Sequence, residues 1–460
     1  MSHYKTSAFL FRRDLRLHDN TGLIQALRQS ERVIACFIAS PKQLKTNVYC
    51  SERAVQCMAE CLDDLAMQLR QRGARLSLFQ GHEPTIIRAL VKAQGIDAIF
   101  CNRDYTPFAR QRDAEIERTC KNAGIGFHSA TDALLHEPEE LRKDDGAPYR
   151  VFTPFFRRAI ALDVRMPTQA RGVFFADRVP GAKAHVSSVL SWQPSKEAAV
   201  HGGRTHALAI LRRMDAFRQY ACDRDIPSKD ATTHLSAHLT FGTISVREAY
   251  GAIVGTLGED HPLIRQLYWR EFFTHVAWHF PHVFGHAFRT EFQKLQWSRS
   301  QRNFQAWCKG KTGVPIVDAG MRQLNATGYM HNRVRMIASS FLVKDLHIDW
   351  RKGEQYFAQR LLDYDPSVNN GNWQWSASTG CDAQPWFRIF NPWLQQKRYD
   401  PACAYIKKWI PELAEWSVQA IQGWGVGMQE QKRGTYPRPI VDHARESAFA
   451  KDMYARITRM

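Results

Sequence analysis

Between Leu361 and Trp393 the chain reads LLDYDPSVNNGNWQWSASTGCDAQPWFRIFNPW. Within that stretch Asn369, Asn370, Asn372, Trp373, Gln374 and Trp375 fill six of seven consecutive positions. Indole N–H and carboxamide groups left dry and unpaired are costly, so the run suits neither an ordinary core nor a solvated surface. It suits a flat polar partner that brings its own donors and acceptors. Twelve of the thirteen Trp lie between Trp269 and Trp424, which keeps a Trp-rich helical core as the competing reading. Tryptophan also has a redox use: its indole gives up one electron readily and can then lose a proton.

Other groups of residues have the spacing of a site. Thr232, Thr233, His234, Leu235 and Ser236 form a hydroxyl-rich turn before a helical pattern. Such a helix start can bind a diphosphate through backbone N–H groups and hydroxyls, or simply cap itself. Gln266, Trp269 and Arg270 stand at i, i+3 and i+4 in IRQLYWREFF and share one helix face. Asn332 and Met336 form an i, i+4 pair in MHNRVRM, with His331 expected to point off their face.

These residues need a scaffold, and 460 residues are long for one core, so two domains are expected. With 44% apolar and 23% charged residues the chain is globular rather than disordered. A formal charge of +18 favours a polyanionic partner, nucleic acid before an anionic membrane surface. The ten Cys are scattered without a C-x-x-C pair, and Cys57 with Cys61 fit one helix face better than a metal clip. No zinc site is readable. Without a signal peptide or an 18-residue apolar run, the expected compartment is reducing: cytoplasmic, on the nucleoid in a prokaryote, with no membrane attachment.

Up to about residue 135, short apolar runs alternate with helical patterns. AFLF (Ala8–Phe11), VIACFI (Val33–Ile38), LSLF (Leu76–Phe79) and AIFC (Ala98–Cys101) read as buried parallel strands, with Ser51–Arg72 as a helix between two of them. The alternation predicts a doubly wound α/β domain over 1–135. It carries neither G-x-G-x-x-G nor a Walker A loop. From 136 to 202 the periodicity weakens, as in a connector, although YRVFTPFFRR (Tyr149–Arg158) is too aromatic for a free linker. From 203 to 460 the patterns are mostly helical.

The Leu361–Trp393 segment resembles the flavin-binding heart of the cryptochrome/photolyase family, whose signature is roughly D-x-D-x-x-x-N-x-G-x-W-x-W. Asp363, Asp365, Asn369, Gly371, Trp373 and Trp375 supply it in order. Gly313 to Trp350 and the opening LFRRDLRLHDNTGL (Leu10–Leu23) resemble the same family. The likeness spans nearly the whole chain and is greatest to class I cyclobutane pyrimidine dimer photolyases.

The resemblance implies FAD as cofactor. Thr232 to Ser236 match the family's flavin-diphosphate motif, with Thr233 in place of serine and His234 where arginine is frequent; Tyr220 and Arg224 fit the same site. Asn369 falls where the family sets a residue against flavin N5, and asparagine there is the photolyase choice, a neutral amide beside an anionic reduced flavin. Asp363 and Arg335 would pair beside the flavin ring. Trp373, Trp350 and Trp297 fall at the electron-relay positions for photoreduction. Trp269 and Trp375 resemble the aromatic walls of the lesion pocket, with Gln266, Arg270, Asn332, Arg333 and Met336 around them. Arg388, Lys397 and Arg398 are candidate phosphate contacts.

The function this implies is light-driven repair of cyclobutane pyrimidine dimers in DNA by a monomer: excited reduced FAD gives the dimer an electron, the ring splits, and the electron returns. The first alternative is a (6-4) photolyase, favoured by Gln266 where dimer enzymes mostly carry Glu. It is opposed by Asn332 and Met336 where (6-4) enzymes use two histidines. The second is a cryptochrome-like blue-light receptor, opposed by Asn369, the paired pocket Trp and the short tail after YPRPIVDH (Tyr436–His443). A fold-retaining, repair-dead nucleic-acid binder is the third. Asn102–Asp113 lacks the glutamate of folate-using relatives, with Ala109 in its place, so 8-hydroxydeazaflavin or a flavin is the expected antenna if one is held.

Overall fold

The computed structural model describes residues 3–192, 197–424 and 436–459. The four apolar runs become β1 (Tyr4–Phe11), β2 (Ser30–Ala39), β3 (Leu76–Gln80) and β4 (Ala98–Asn102). A fifth strand, β5 (Gly126–Ala130), pairs with β4. Only Ala130 of β5 is buried, so no apolar run announces that strand in the sequence. All pairings are parallel, in the order β3-β2-β1-β4-β5, which is a doubly wound sheet with its switch point beside β1. Ala8, Phe9, Leu10 and Phe11 of the central β1 are all buried, as expected where helices cover both faces of a parallel sheet.

Helix α1 (Thr21–Gln29) is capped by Asn20, and α2 (Glu52–Gln71) by Ser51, whose Oγ accepts from Ala54 N at 3.2 Å. Cys57, Cys61, Leu62, Leu65 and Leu69 form the buried stripe of α2, and Cys57 and Cys61 are free thiols on that stripe. The segment 136–202 contains α3 (Phe152–Ala159), which buries Phe152, Phe155 and Ala159. The aromatic weight of YRVFTPFFRR is spent on docking: Phe152 stacks on Trp269, ring centroids 3.6 Å apart and planes 4° from parallel.

Among the described residues no strand follows Ala130. The helices that matter most are α4 (Leu235–Phe241), α5 (Pro262–His279), α6 (Asn332–Ser340), α7 (Trp350–Arg360), α8 (Pro366–Ser376) and α9 (His443–Thr458). Helix α8 starts at Pro366 because Asp365 Oδ1 accepts from Val368 N at 3.0 Å and the proline at the first helical position gives up no needed N–H. A methyl at Gly371 would sit 2.0 Å from Phe273 Cδ1, so glycine is required there for the close approach of α8 to α5. Gly353 does the same for α7, where a Cβ would meet Trp373 Cη2 at 2.2 Å. The two units are joined by a buried charged network. Arg247 donates to Asp19 Oδ2 at 2.7 Å and to Asp132 Oδ1 at 2.8 Å, and Arg16 pairs with Asp132 from the other side.

Candidate active site

Helices α4 to α8 enclose a cavity of about 490 Å³, within the range of small-molecule and cofactor sites. Its wall brings together Tyr220, Arg224, Thr232, Thr233, His234, Leu235 and Ser236 with Arg335, Asp363, Asp365, Asn369 and Trp373. Gln266, Trp269, Arg270, Asn332, Arg333, Met336 and Trp375 line the same cavity. Of the residues proposed from sequence, Trp350, Trp297, Arg388, Lys397 and Arg398 lie off its wall.

At one end, Thr233 Oγ1 accepts weakly from Leu235 N at 3.4 Å, and His234 adopts a left-handed conformation (φ 52°) where α4 begins. His234 Nε2 bonds Asp230 Oδ1 at 2.7 Å and its ring rests on Tyr329 at 4.5 Å. Its Nδ1 is buried without a protein partner, as expected for a wall that a polar ligand completes. Arg224, over Tyr220, supplies a cation to this end. The hydroxyls and the cation fit a diphosphate.

In the middle, Asp363 is the hub. Its carboxylate accepts from Ser236 Oγ at 2.7 Å and from Arg335 Nη2 at 3.0 and 3.2 Å, while Arg335 Nε donates to Met330 O at 2.7 Å. Asn369 donates its Nδ2 to Glu354 O at 3.1 Å, which leaves its carbonyl oxygen as the group the carboxamide can offer the cavity. Burial pushes the Asp365 carboxyl up, but Arg13 and Arg270 outweigh it and hold the group below its ordinary value.

Glu354 stands behind Asn369, 4% exposed, with Oε1 accepting from Asn370 Nδ2 at 3.0 Å. Burial raises its carboxyl to about 7, only partly offset by that hydrogen bond. A carboxyl with a raised folded value binds more protons folded than unfolded between about 4.5 and 7, so stability falls as pH rises through that window. Glu354→Gln is therefore expected to flatten the loss, by at most about 3 kcal/mol at pH 8. Melting curves at pH 5 and pH 8 measure it, and an unchanged pH dependence would show that Glu354 does not contribute.

At the other end, Phe152 covers one face of Trp269, so the indole is held flat. Gln266 makes only a long contact to Pro262 O, 3.5 Å, and keeps its amide largely free. Arg270 is less free, because its Nη1 donates to Ala133 O at 2.8 Å. Arg333 pairs with Asp225 at 2.8 Å and lies over Tyr399. His331 is off the wall: its Nδ1 caps α6 through Arg333 N, and burial lowers the imidazole to about 4, so it is neutral near pH 7. Arg388, Lys397 and Arg398 are exposed.

Trp373 and Trp350 are each 2% exposed, whereas Trp297 is partly exposed and touches Tyr454 edge-on. Trp350 opens α7, the helix that packs on Trp373 through Gly353. The sequence reading missed several contributors. Tyr329 lines the cavity and Trp307 packs on Trp373 at 6.1 Å, with no local pattern to mark either. Phe152 had a signal, the aromatic run in a weakly periodic segment. Arg13, part of the RRDLR opening, pairs with Asp365 across 352 positions.

Known proteins resemble this chain along nearly its whole length. Residues 7–170 match the DNA photolyase model and residues 263–456 the FAD binding domain of DNA photolyase. The deoxyribodipyrimidine photo-lyase of Synechococcus sp. is 37% identical, covering 98% of this chain and 96% of its own. That of Escherichia coli is 36% identical, over 94% and 95%. An archaeal photolyase from Sulfolobus tokodaii, solved with two FAD molecules, superposes with a TM-score of 0.88 at 41% identity, covering 98% of this chain and all of its own. A bacterial class III photolyase from Agrobacterium tumefaciens gives 0.92 at 34% identity, over 99% and 98%. Matched along nearly its whole length, this chain belongs to the DNA photolyase family and carries that family's FAD-binding domain.

Proposed function

We propose that this protein repairs DNA in light by splitting cyclobutane pyrimidine dimers. One observation carries the reading: a single cavity wall joins a diphosphate-type turn and the Asp363–Arg335 pair to two pocket Trp and the amides of Gln266 and Asn332. FAD, when bound, supplies the light-driven one-electron chemistry. Thr232 to Ser236 and Arg224, with Tyr220, would hold its diphosphate, and Asp363, Arg335, Asp365 and Asn369 its ring end. Asn369 offers a neutral acceptor and avoids repelling an anionic reduced ring. Trp373, Trp350 and Trp297 would carry electrons inward from the surface.

Trp269 and Trp375 would stack on the two bases of an extruded lesion, each worth about 1–3 kcal/mol, and extrusion is least costly where pairing is already damaged. Gln266 and Asn332 can hydrogen-bond base edges, and Met336 adds an apolar contact. Neither Asn332 nor Met336 can donate a proton as an acid, and His331 is buried and neutral. These features favour dimers over (6-4) products. Arg333, Arg388, Lys397 and Arg398 would meet phosphates, so binding should weaken steeply with salt. Gel shifts with dimer-containing and undamaged duplexes test the pocket. Gln266→Ala is expected to lower the preference for damaged DNA roughly 5–20-fold, the loss of one or two hydrogen bonds, and an unchanged preference would remove Gln266 from lesion recognition.

The units over 1–135 and 203–460, joined through 136–202, would divide light collection from catalysis. A second cavity, about 630 Å³, opens at the carboxyl ends of β1 and β2 and is lined by Phe11, Phe37, Ser40, Met58, Phe108 and Arg112 among others. Ligands of open α/β sheets bind at such strand ends, and the Sulfolobus tokodaii photolyase with two FAD molecules supports a second flavin as the antenna. A receptor reading has one point in its favour, the likeness to a Synechocystis cryptochrome at 28% identity and a TM-score of 0.90. The two pocket Trp and the amides of Gln266 and Asn332 on the same wall weigh against it.

A further inference from the structure

Arg13 lines two cavities and pairs with a residue on the wall of a third. It lines the 630 Å³ cavity of the N-terminal unit and a small interdomain cavity whose wall also holds Asp365 and Arg270, both shared with the flavin-type cavity. Its Nη2 pairs with Asp365, the residue that caps α8, and α8 carries Asn369 and Trp373. Its Nε donates to Thr240 O at 3.1 Å, near the end of α4, whose start is the diphosphate-type turn. Thr240 in turn donates its hydroxyl to Asp363 O at 3.3 Å and lines all three cavities. One guanidinium of the N-terminal unit thus touches two of the elements that shape the flavin-type cavity.

We infer that Arg13 is a positioning residue that couples occupancy of the N-terminal cavity to retention of FAD in the helical unit. The inference rests on reading both cavities as chromophore sites. The Arg13 side chain is 31% accessible, and an ion pair that keeps water at its edge is worth little. A ligand filling the N-terminal cavity removes water beside Arg13, lowers the local dielectric and strengthens its attraction to Asp365. Thr240 O and Asp104, 3.9 Å away, remain as further partners, so the guanidinium is not stranded when it dries. A firmer Asp365 cap holds α8, and with it Asn369, in place. Arg270 cannot take over the role freely, since it is tied to Ala133 O. Linkage makes the coupling reciprocal: FAD in the helical unit must tighten the N-terminal site by the same factor.

The test is the release rate of FAD from holoprotein, read as the rise of free-flavin fluorescence, for wild type, Arg13→Gln, Asp365→Asn and the double variant. Asparagine still caps a helix, so Asp365→Asn removes the charge and keeps the cap, and the double variant separates the Arg13 pair from Asp365's own contacts. Arg13→Lys keeps the charge and guards against a folding defect in Arg13→Gln. Each series is run with and without 8-hydroxy-5-deazariboflavin, whose own fluorescence reports filling of the N-terminal cavity separately. Without deazaflavin each single variant is expected to release FAD roughly 2–5-fold faster, the double variant no faster than the singles, and Arg13→Lys at an intermediate rate. Bound deazaflavin is expected to slow release several-fold in wild type and not in Arg13→Gln. Multiplying effects in the double variant, or wild-type release indifferent to bound deazaflavin, would overturn the coupling. A cavity that binds neither deazaflavin nor FMN would overturn it too, together with the chromophore reading of that cavity; the mutant cycle, which needs no second ligand, would still report on FAD alone.

Discussion

Trp373→Phe is expected to abolish photoreduction of bound FAD while leaving repair by chemically pre-reduced protein largely intact. Trp373 is the one relay candidate on the cavity wall, 2% exposed and wedged against Gly353 and Phe357. Phenylalanine keeps an aromatic ring in that wedge but is far harder to oxidise, so the change removes the electron path and little packing. Trp350→Phe and Trp297→Phe should cut the same path further out. Trp307→Phe is the control: its ring also touches Trp373, but it is fully buried, with its indole N–H held by Ala338 O at 2.9 Å. Flash photolysis reads the relay and oligonucleotide repair reads catalysis. Equal loss of both in Trp373→Phe would remove the relay assignment and make Trp373 a structural residue.

Asp363→Ala should cost FAD affinity on the order of 100-fold or more. The substitution deletes the acceptor of Ser236 and of both Arg335 contacts. It leaves Arg335, whose side chain is only 25% accessible, with a charge facing a cavity that has lost its counter-ion. Breaking one partner of such a pair commonly costs about 3–5 kcal/mol, and about 3 kcal/mol corresponds to the loss named above. Asp363→Asn should fall between, because an amide oxygen still accepts from Ser236. Equilibrium dialysis of FAD with circular dichroism as a folding control makes the measurement. Undiminished affinity in a folded Asp363→Ala protein would take Asp363 and Arg335 out of the cofactor site.

Local pattern and tertiary contact contributed differently to what could be read in advance. Strands β1 to β4 were legible because buried parallel strands are continuous apolar runs; β5, polar and half-covered, was not. The face holding Gln266 and Trp269 followed from helical spacing alone. The glycine in N-x-G-x-W is visible in the motif, but its reason, Phe273 lying against α8, exists only after packing. Glu354 looks like any helical glutamate until burial raises its carboxyl. The tie between Arg13 and Asp365 has no local trace at all, since each is an ordinary charged residue in its own segment.

The most direct measurement is anaerobic repair, under near-UV light, of two oligonucleotides by chemically reduced protein, one carrying a cyclobutane thymine dimer and the other a (6-4) photoproduct. Restored thymines from the dimer alone are expected, and would show that Gln266 does not set lesion class. Repair of the (6-4) product alone would contradict the dimer reading drawn from Asn332, Met336 and His331. Repair of neither, with FAD bound and reduced, would contradict the enzyme reading and move the protein to the photoreceptor class.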